Sequence, residues 1–128
     1  MIYLDTSVAL AHLLAEDRSP PERLWKEPLI SSRLIEYEIW VRIHGRKLTR
    51  SHADEVRSLL SRIALVELSL AVLARALEPF PKPVRTLDAL HLASMDFLQK
   101  QGQTVTLASY DNRLINGARA LRFPLYKL

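Results

Sequence analysis

The sequence predicts an α/β domain built on a central, mainly parallel sheet. Short apolar runs alternate with segments of helical periodicity along the whole chain. Small polar residues that favour helix N-termini follow several of the apolar runs. The chain has 128 residues, of which 48% are hydrophobic and 25% charged, and these values are ordinary for one globular domain. We therefore expect a single domain over residues 1–128.

The first part of the chain predicts two strands, two helices and one helical turn. The β-prone run at residues 2–4 is followed by Asp-Thr-Ser at residues 5–7, which favours a helix N-terminus. Prolines at residues 20–21 end that helix region and precede a short helical turn. The predicted elements are a strand at 2–4, a helix at 8–14, a helical turn at 21–25, a strand at 29–30 and a helix at 33–44 closed by Gly45.

The second part of the chain continues the alternation. Three prolines between residues 79 and 83 exclude regular structure there. Thr86 is expected to cap the next helix, whose apolar stripe includes Leu87, and Gly102 to follow its end. The predicted elements are a helix at 51–63, a strand at 65–68, a helix at 69–77, a helix at 86–99, a strand at 104–107, a helix at 112–121 and a short edge strand at 124–126.

Composition excludes several classes of site and protein. Cysteine is absent and only three glycines occur, so disulfide frameworks, thiolate zinc sites, P-loops and dinucleotide fingerprints are excluded. The four histidines lack a zinc-binding helix spacing. Charges interrupt the apolar stretch at 59–77, and the N-terminus lacks signal-peptide features, so we expect a cytoplasmic protein with no membrane segment. The net charge of +4 permits nucleic-acid binding without requiring it.

Carboxylates are the remaining candidates for chemistry. Ligands of parallel sheets bind beyond the carboxyl ends of the strands, and Asp5 and Asp111 both follow predicted strands. Each could instead cap a helix, Asp88 could serve only as a helix-dipole partner, and Glu38 could simply be solvated. Four converging acids would repel one another and would require a hard cation such as Mg²⁺. The residues alone leave that convergence open.

Four stretches of the sequence carry a family resemblance. They are MIYLDTSVAL, SSRLIEYEIW, RTLDALHLAS and TLASYDNRL, and they occur in this order along essentially the whole chain. With them, the sequence resembles the PIN-domain nucleases, and among these the VapC-type toxins of bacterial and archaeal toxin–antitoxin pairs. The resemblance implies a PIN-like three-layer α/β/α fold around the parallel sheet.

The resemblance also implies four acidic site residues. The first acid falls on Asp5, and the third and fourth fall on Asp88 and Asp111. The second falls six residues after Ser32, at Glu38, with Glu36 as the rival position. Together these four carboxylates would hold one or two Mg²⁺ or Mn²⁺ ions as metal ligands and catalytic residues, some of them through water.

The activity implied is metal-dependent hydrolysis of RNA phosphodiester bonds. Ser7 and Ser109 would hold a water or an acid in place, and Arg85 and Arg113 would contact phosphates of the RNA. The family implies a homodimer that is silenced by a cognate antitoxin protein. Four apolar residues could serve the dimer face or the antitoxin groove, but the core is favoured for them: Leu24, Trp25, Trp40 and Val41.

Two other functions compete with the nuclease. A catalytically inactive PIN-like domain could bind RNA or protein, although the intact acidic set argues against it. An aspartyl-phosphate phosphatase or a receiver domain is suggested by a single aspartate at a strand end. Such a phosphatase wants a second aspartate where this chain has Ser7, and a receiver wants an acidic pair beside the first strand. His91 is interpreted as a packed helix residue.

Overall fold

A parallel sheet of four strands forms the centre of the molecule. The computed structural model describes residues 1–128. The strands are β1 (Ile2–Leu4), β2 (Leu29–Ser32), β3 (Ile63–Val66) and β4 (Thr106–Ala108). Their order across the sheet is β3-β2-β1-β4, and every pair is parallel. All four carboxyl ends therefore lie at one edge, where the residues after β1 and β4 meet.

Six α-helices connect and cover the strands. They are α1 (Thr6–Leu13), α2 (Leu34–Gly45), α3 (Thr49–Leu60), α4 (Leu70–Leu77), α5 (Thr86–Lys100) and α6 (Asn112–Ala120). A short 3-10 helix covers Glu22–Lys26 at the predicted helical turn. No helix is both long enough and apolar enough to cross a membrane.

Two hydrophobic cores lie on opposite faces of the sheet. Side chains alternate along a strand, so Ile2 and Leu4 enter one core while Tyr3 enters the other. The first core packs the sheet against α1, α2 and α3, and the second packs it against α4, α5 and α6. The three-layer α/β/α architecture with a parallel sheet is confirmed.

The boundary between α3 and β3 differs from the prediction. The helix begins at Thr49 and ends at Leu60, and Ile63, predicted at the helix end, instead opens β3 opposite Leu29. Ile63 lies four residues after Leu59, so periodicity alone places both in one helix. Pairing with β2 decides the matter because it buries Ile63 in the sheet. The strand predicted at 65–68 therefore lies two residues earlier, and β4 lies one to two residues later than predicted.

Several helix ends also differ from the prediction. Gly45 is the last residue of α2 because helical hydrogen bonding continues past it. Thr86 is the first residue of α5, and its extended neighbour Arg85 occupies the N-cap position without a side-chain hydrogen bond. The edge strand predicted at 124–126 is reduced to one parallel bridge between Leu107 and Leu125.

The core interpretation of the four apolar residues is correct for three of them. Leu24 is fully buried, and Trp25 and Trp40 pack against the first core. Val41 is 70% exposed and lies outside both cores, and Leu87 of α5, predicted on an apolar stripe, is 49% exposed. The helical period assigns residues to faces, but the neighbouring layer decides which face is covered.

The packing of α2 predicts a contrast between two apolar residues of one helix. Ile39 is fully buried, whereas Val41 is mostly exposed. Ile39→Ala should lower the free energy of unfolding by about 2–5 kcal/mol because it leaves a cavity. Val41→Ala should change it by less than about 0.5 kcal/mol. Urea unfolding of both variants measures this, and equal losses would contradict the orientation of α2.

Candidate active site

Asp5 is the most constrained acid at the carboxyl edge of the sheet. It caps α1 directly after β1, and its backbone N–H donates to the carbonyl of Ala108 in β4 at 3.0 Å. The residue is 6% exposed. Its Oδ2 accepts hydrogen bonds from Ser7 Oγ at 2.6 Å and from Ser109 Oγ at 2.7 Å. Both serines predicted to hold an acid in place therefore contact Asp5.

The two serines leave one oxygen of Asp5 free. Each hydroxyl donates its single proton to Oδ2 and accepts a backbone N–H, Ser7 from Tyr110 and Ser109 from Asp111, both at 2.9 Å. The two hydroxyl oxygens lie 3.5 Å apart, but neither hydroxyl has a proton left to donate to the other. Oδ1 of Asp5 takes no hydrogen bond from the protein, so it is available to a ligand.

Glu38 lies on the site side of α2. Its Oε1 accepts hydrogen bonds from Thr6 Oγ1 at 3.0 Å and from His91 Nε2 at 2.6 Å. Oε2 has no protein partner. The rival Glu36 instead forms an ion pair with Arg33 at 3.4 Å, where Arg33 also binds Glu67. Of the two candidate positions, the structure directs Glu38 towards the residues around Asp5.

His91 is the part of the site that sequence reasoning missed. It is buried as predicted, but its Nδ1 also lies 2.8 Å from the hydroxyl of Tyr3, which accepts the backbone N–H of Ser32 at 3.2 Å. With a neutral imidazole, one arrangement uses every proton: Tyr3 donates to Nδ1, and Nε2 donates to Glu38. The signal in the sequence was the spacing of His91 three residues after Asp88, on the same helix face.

The pKa values of His91 and Tyr3 are both raised above their ordinary values, but for different reasons. Burial alone would lower the pKa of His91, but the hydrogen bond and the negative charge of Glu38 outweigh it and raise that pKa above its ordinary value. Burial raises the pKa of the Tyr3 phenol well above its ordinary value. Tyr3 therefore stays neutral and acts as a hydrogen-bonding group.

Asp88 and Asp111 lie on the open side of the site. Asp88 is half-buried in the first turn of α5, and burial together with the negative charges of Asp111 and Asp5 raises its pKa. Asp111 is exposed and caps α6, because its Oδ1 accepts the N–H of Arg113 at 2.9 Å. The helix-cap interpretation of Asp111 is thus correct, and it leaves the second carboxylate oxygen without a protein partner.

The donor set suits a hard divalent cation. No three His, Asp or Glu side chains converge closely enough to ligate one ion directly. Mg²⁺ needs no such cage, because proteins hold it through one or two carboxylates and leave the remaining positions to water and substrate phosphate. The free oxygens of Asp5 and Glu38, with the nearby Asp88 and Asp111, meet that requirement.

The two arginines predicted to contact RNA are both exposed beside Asp88. Arg85 and Arg113 line one cavity together with that acid. Arg113 is close enough to counteract the raised pKa of Asp88 with its positive charge. The site therefore consists of an acidic centre with cationic side chains on its rim.

Comparison with known proteins identifies the family. The model of the PIN domain family matches residues 2–120, which is nearly the whole chain. The chain belongs to the PIN domain family. The predicted resemblance to the VapC type is also confirmed, because the similar proteins described next are VapC proteins.

Three similar proteins come from Mycobacterium tuberculosis. Ribonuclease VapC35 is 32% identical over 127 residues, which cover 94% of this chain and 92% of that protein. Ribonuclease VapC47 is 28% identical over 130 residues, which cover 96% and 93%. The crystal structure of VapC20, described as a sarcin-ricin loop cleaving toxin, covers 100% of both chains with a TM-score of 0.70 at 19% identity. That structural likeness supports the fold of this PIN domain.

The buried hydrogen-bond chain predicts a specific cost for losing one hydroxyl. Tyr3→Phe removes the group between Ser32 and His91, so two buried polar groups lose a partner. The free energy of unfolding should fall by about 1–3 kcal/mol. Tyr37→Phe is the matched control, because Tyr37 is 61% exposed and its change should cost under about 0.5 kcal/mol. Equal denaturation midpoints for Tyr3→Phe and wild type would contradict the hydrogen bonds that Tyr3 makes to Ser32 and His91.

Proposed function

We propose that this PIN domain is a metal-dependent endoribonuclease and the toxin of a VapBC-like toxin–antitoxin pair. It hydrolyses RNA phosphodiester bonds. The observation that carries the proposal is the acidic centre. Asp5 keeps one carboxylate oxygen free there, and the negative charges of Asp111 and Asp5 raise the pKa of the neighbouring Asp88. The similarity to proteins named ribonucleases supports the same activity.

Four carboxylates would hold the proposed Mg²⁺ or Mn²⁺, some of them through bound water because no three of them converge on one point: Asp5, Glu38, Asp88 and Asp111. A fold gains nothing from gathering unpaired acids, whose mutual repulsion is relieved when a cation neutralises them. A divalent cation at this position would supply Lewis-acid stabilisation of the charge that builds on the phosphate. The phosphate backbone of RNA brings further oxygen ligands of the kind that Mg²⁺ prefers.

The remaining side chains of the site position these groups. Ser7 and Ser109 fix Asp5 so that its Oδ1 faces the ligand. His91 fixes Glu38 by a hydrogen bond, which orients the carboxylate before any ligand arrives. Arg85 and Arg113 contact phosphates and offset the negative charge of the centre during RNA approach.

The proposed partners follow from the VapC-type resemblance. They are the RNA substrate, a cognate antitoxin protein that silences the toxin, and a second copy of the chain in a homodimer. We place the activity in the cytoplasm because both RNA and the antitoxin are made there. An inactive RNA-binding or protein-interaction domain would share the fold but would not need the free carboxylate oxygens of the centre.

The acidic centre predicts that divalent metal stabilises the fold. Mn²⁺ or Mg²⁺ should raise the melting temperature relative to EDTA, since an ion present at 100 times its Kd adds about 2.7 kcal/mol. Differential scanning fluorimetry across a metal titration measures the shift. Asp54→Asn is the control because Asp54 pairs only with Arg57 at the surface, and it should keep the full shift. An unchanged melting temperature in wild type would count against the site.

Removing one charge from the centre should separate catalysis from folding. Asp88→Asn keeps the shape of the side chain but relieves the repulsion that raises the pKa of Asp88. The apo protein should be as stable as wild type or more stable. RNA cleavage should fall by at least about 100-fold, more than the loss of a supporting hydrogen bond costs. The measurements are cleavage of a labelled RNA in Mn²⁺ and thermal melting in EDTA.

A matched pair of glutamates extends the same experiment to α2. Glu38→Gln should lose cleavage like Asp88→Asn, whereas Glu36→Gln should cleave RNA like wild type because Glu36 only pairs with Arg33. The Asp54→Asn protein again serves as the surface control. A stable Asp88→Asn protein with full activity would remove that residue from the proposed site. A wild-type protein that binds RNA but never cleaves it would favour the inactive alternative.

A further inference from the structure

A basic cavity opens beside the acidic centre. Its volume is about 490 Å³, within the range of about 300–1,000 Å³ typical of small-ligand sites. It lies between the proline-rich loop before α5 and the exposed face of α6. Its polar lining consists of three cations, one amide and one acid: Lys82, Arg85, Arg113, Asn116 and Asp88.

The cations of this cavity have no anionic partner in the protein. Neither Lys82, Arg85 nor Arg113 forms any ion pair within 4.0 Å. Three positive charges thus face one acid, Asp88, which the proposed function assigns to the metal. A second cavity, next to Ser7, holds two cations against two acids and so has no such excess. The basic cavity is the one suited to a phosphate.

The start of α5 adds to the attraction for an anion. Arg85 is its N-cap residue, and no side chain caps this start, as is also true of α2 and α3, whereas Asp5 and Asp111 cap α1 and α6. Uncapped N–H groups and the helix dipole favour a negative group at this end. The backbone at this wall of the cavity therefore adds to the positive charge of the side chains, and Asp88 in the first turn of α5 offsets part of it.

The other wall of the cavity is suited to a nucleobase. Asn116 lies one turn after Arg113 on α6, so both side chains project from one helix face. Its amide makes no hydrogen bond within the protein, and it offers both a donor and an acceptor.

Gly117 forms part of the lining without a side chain, and a Cβ there would lie 2.8 Å from Leu92 Cδ1. That glycine keeps α6 close to α5.

We propose that this cavity binds the nucleotide next to the scissile phosphate of single-stranded RNA. Lys82, Arg85 and Arg113 hold its phosphate, and Asn116 contacts the edge of its base. The nucleotide must be unpaired, because a base in a duplex cannot present itself to such a cavity. The inference rests on the proposed nuclease function, since Asp88 joins the cavity to the metal centre. It gives the enzyme a base preference at one position beside the cut.

Two variants test the separate parts of the cavity. Lys82→Ala should weaken binding of a short, fluorescein-labelled single-stranded RNA by about threefold to tenfold. It should also lower the slope of log affinity against log salt by about 0.7, the value for one lost phosphate contact. Asn116→Ala should leave that slope unchanged but reduce the base preference beside the cut by about tenfold. Arg119→Ala is the control, since Arg119 is an exposed α6 residue outside the cavity.

Binding is measured by fluorescence anisotropy in EDTA, and the base preference by sequencing the ends of a random RNA pool cut in Mn²⁺. Thermal melting confirms that each variant folds. If wild type cleaves RNA but Lys82→Ala and Asn116→Ala match Arg119→Ala in both assays, the cavity inference is overturned and the nuclease stands. If wild type does not cleave, the nuclease proposal fails, and the anisotropy series by itself decides whether Lys82 binds RNA phosphate.

Discussion

The carboxylate of Asp5 is the constraint on which the site depends. It follows β1 at a point where the neighbouring β4 ends, and its backbone and side chain connect the two strand ends. Two hydroxyls saturate one of its oxygens, so the carboxylate has a fixed orientation and a single free oxygen. A nearly buried acid is costly unless it is hydrogen-bonded. The serines offset that cost and thereby set the position of the whole centre.

A second chain of hydrogen bonds joins the two outer layers of the fold across the same edge. Glu38 belongs to α2 in one layer, His91 belongs to α5 in the other, and Tyr3 and Ser32 extend the chain into the sheet. Buried polar groups that are fully paired restrict a structure to one arrangement. The contact between α2 and α5 over the strand ends is therefore fixed before a ligand binds.

Charge is distributed unevenly around this centre. The acids gather at the strand ends, while unpaired cations lie on the proline-rich loop and on α6. Repulsion among the acids is the physical basis for a bound cation, and the cationic rim is the basis for attracting a polyanion. The position of the acids follows from where parallel strands end, because ligand sites of such sheets lie at that edge. The cations come instead from the loop between α4 and α5 and from α6.

The sequence by itself determined the alternation of strands and helices, the helix cap at Asp111 and the family resemblance. These features are local: they depend on apolar periods of two or about 3.6 residues and on capping residues a few positions away. Ile63 fits either the end of a helix or the start of a strand. Periodicity predicted the helix, and this was wrong because Ile63 pairs with β2. The resemblance had already favoured Glu38 over Glu36, but only the tertiary structure joined Glu38 to Thr6 and His91 and brought Ser109 to Asp5, 104 positions away. Such contacts arise from how layers pack across a sheet, and spacing along the chain does not encode them.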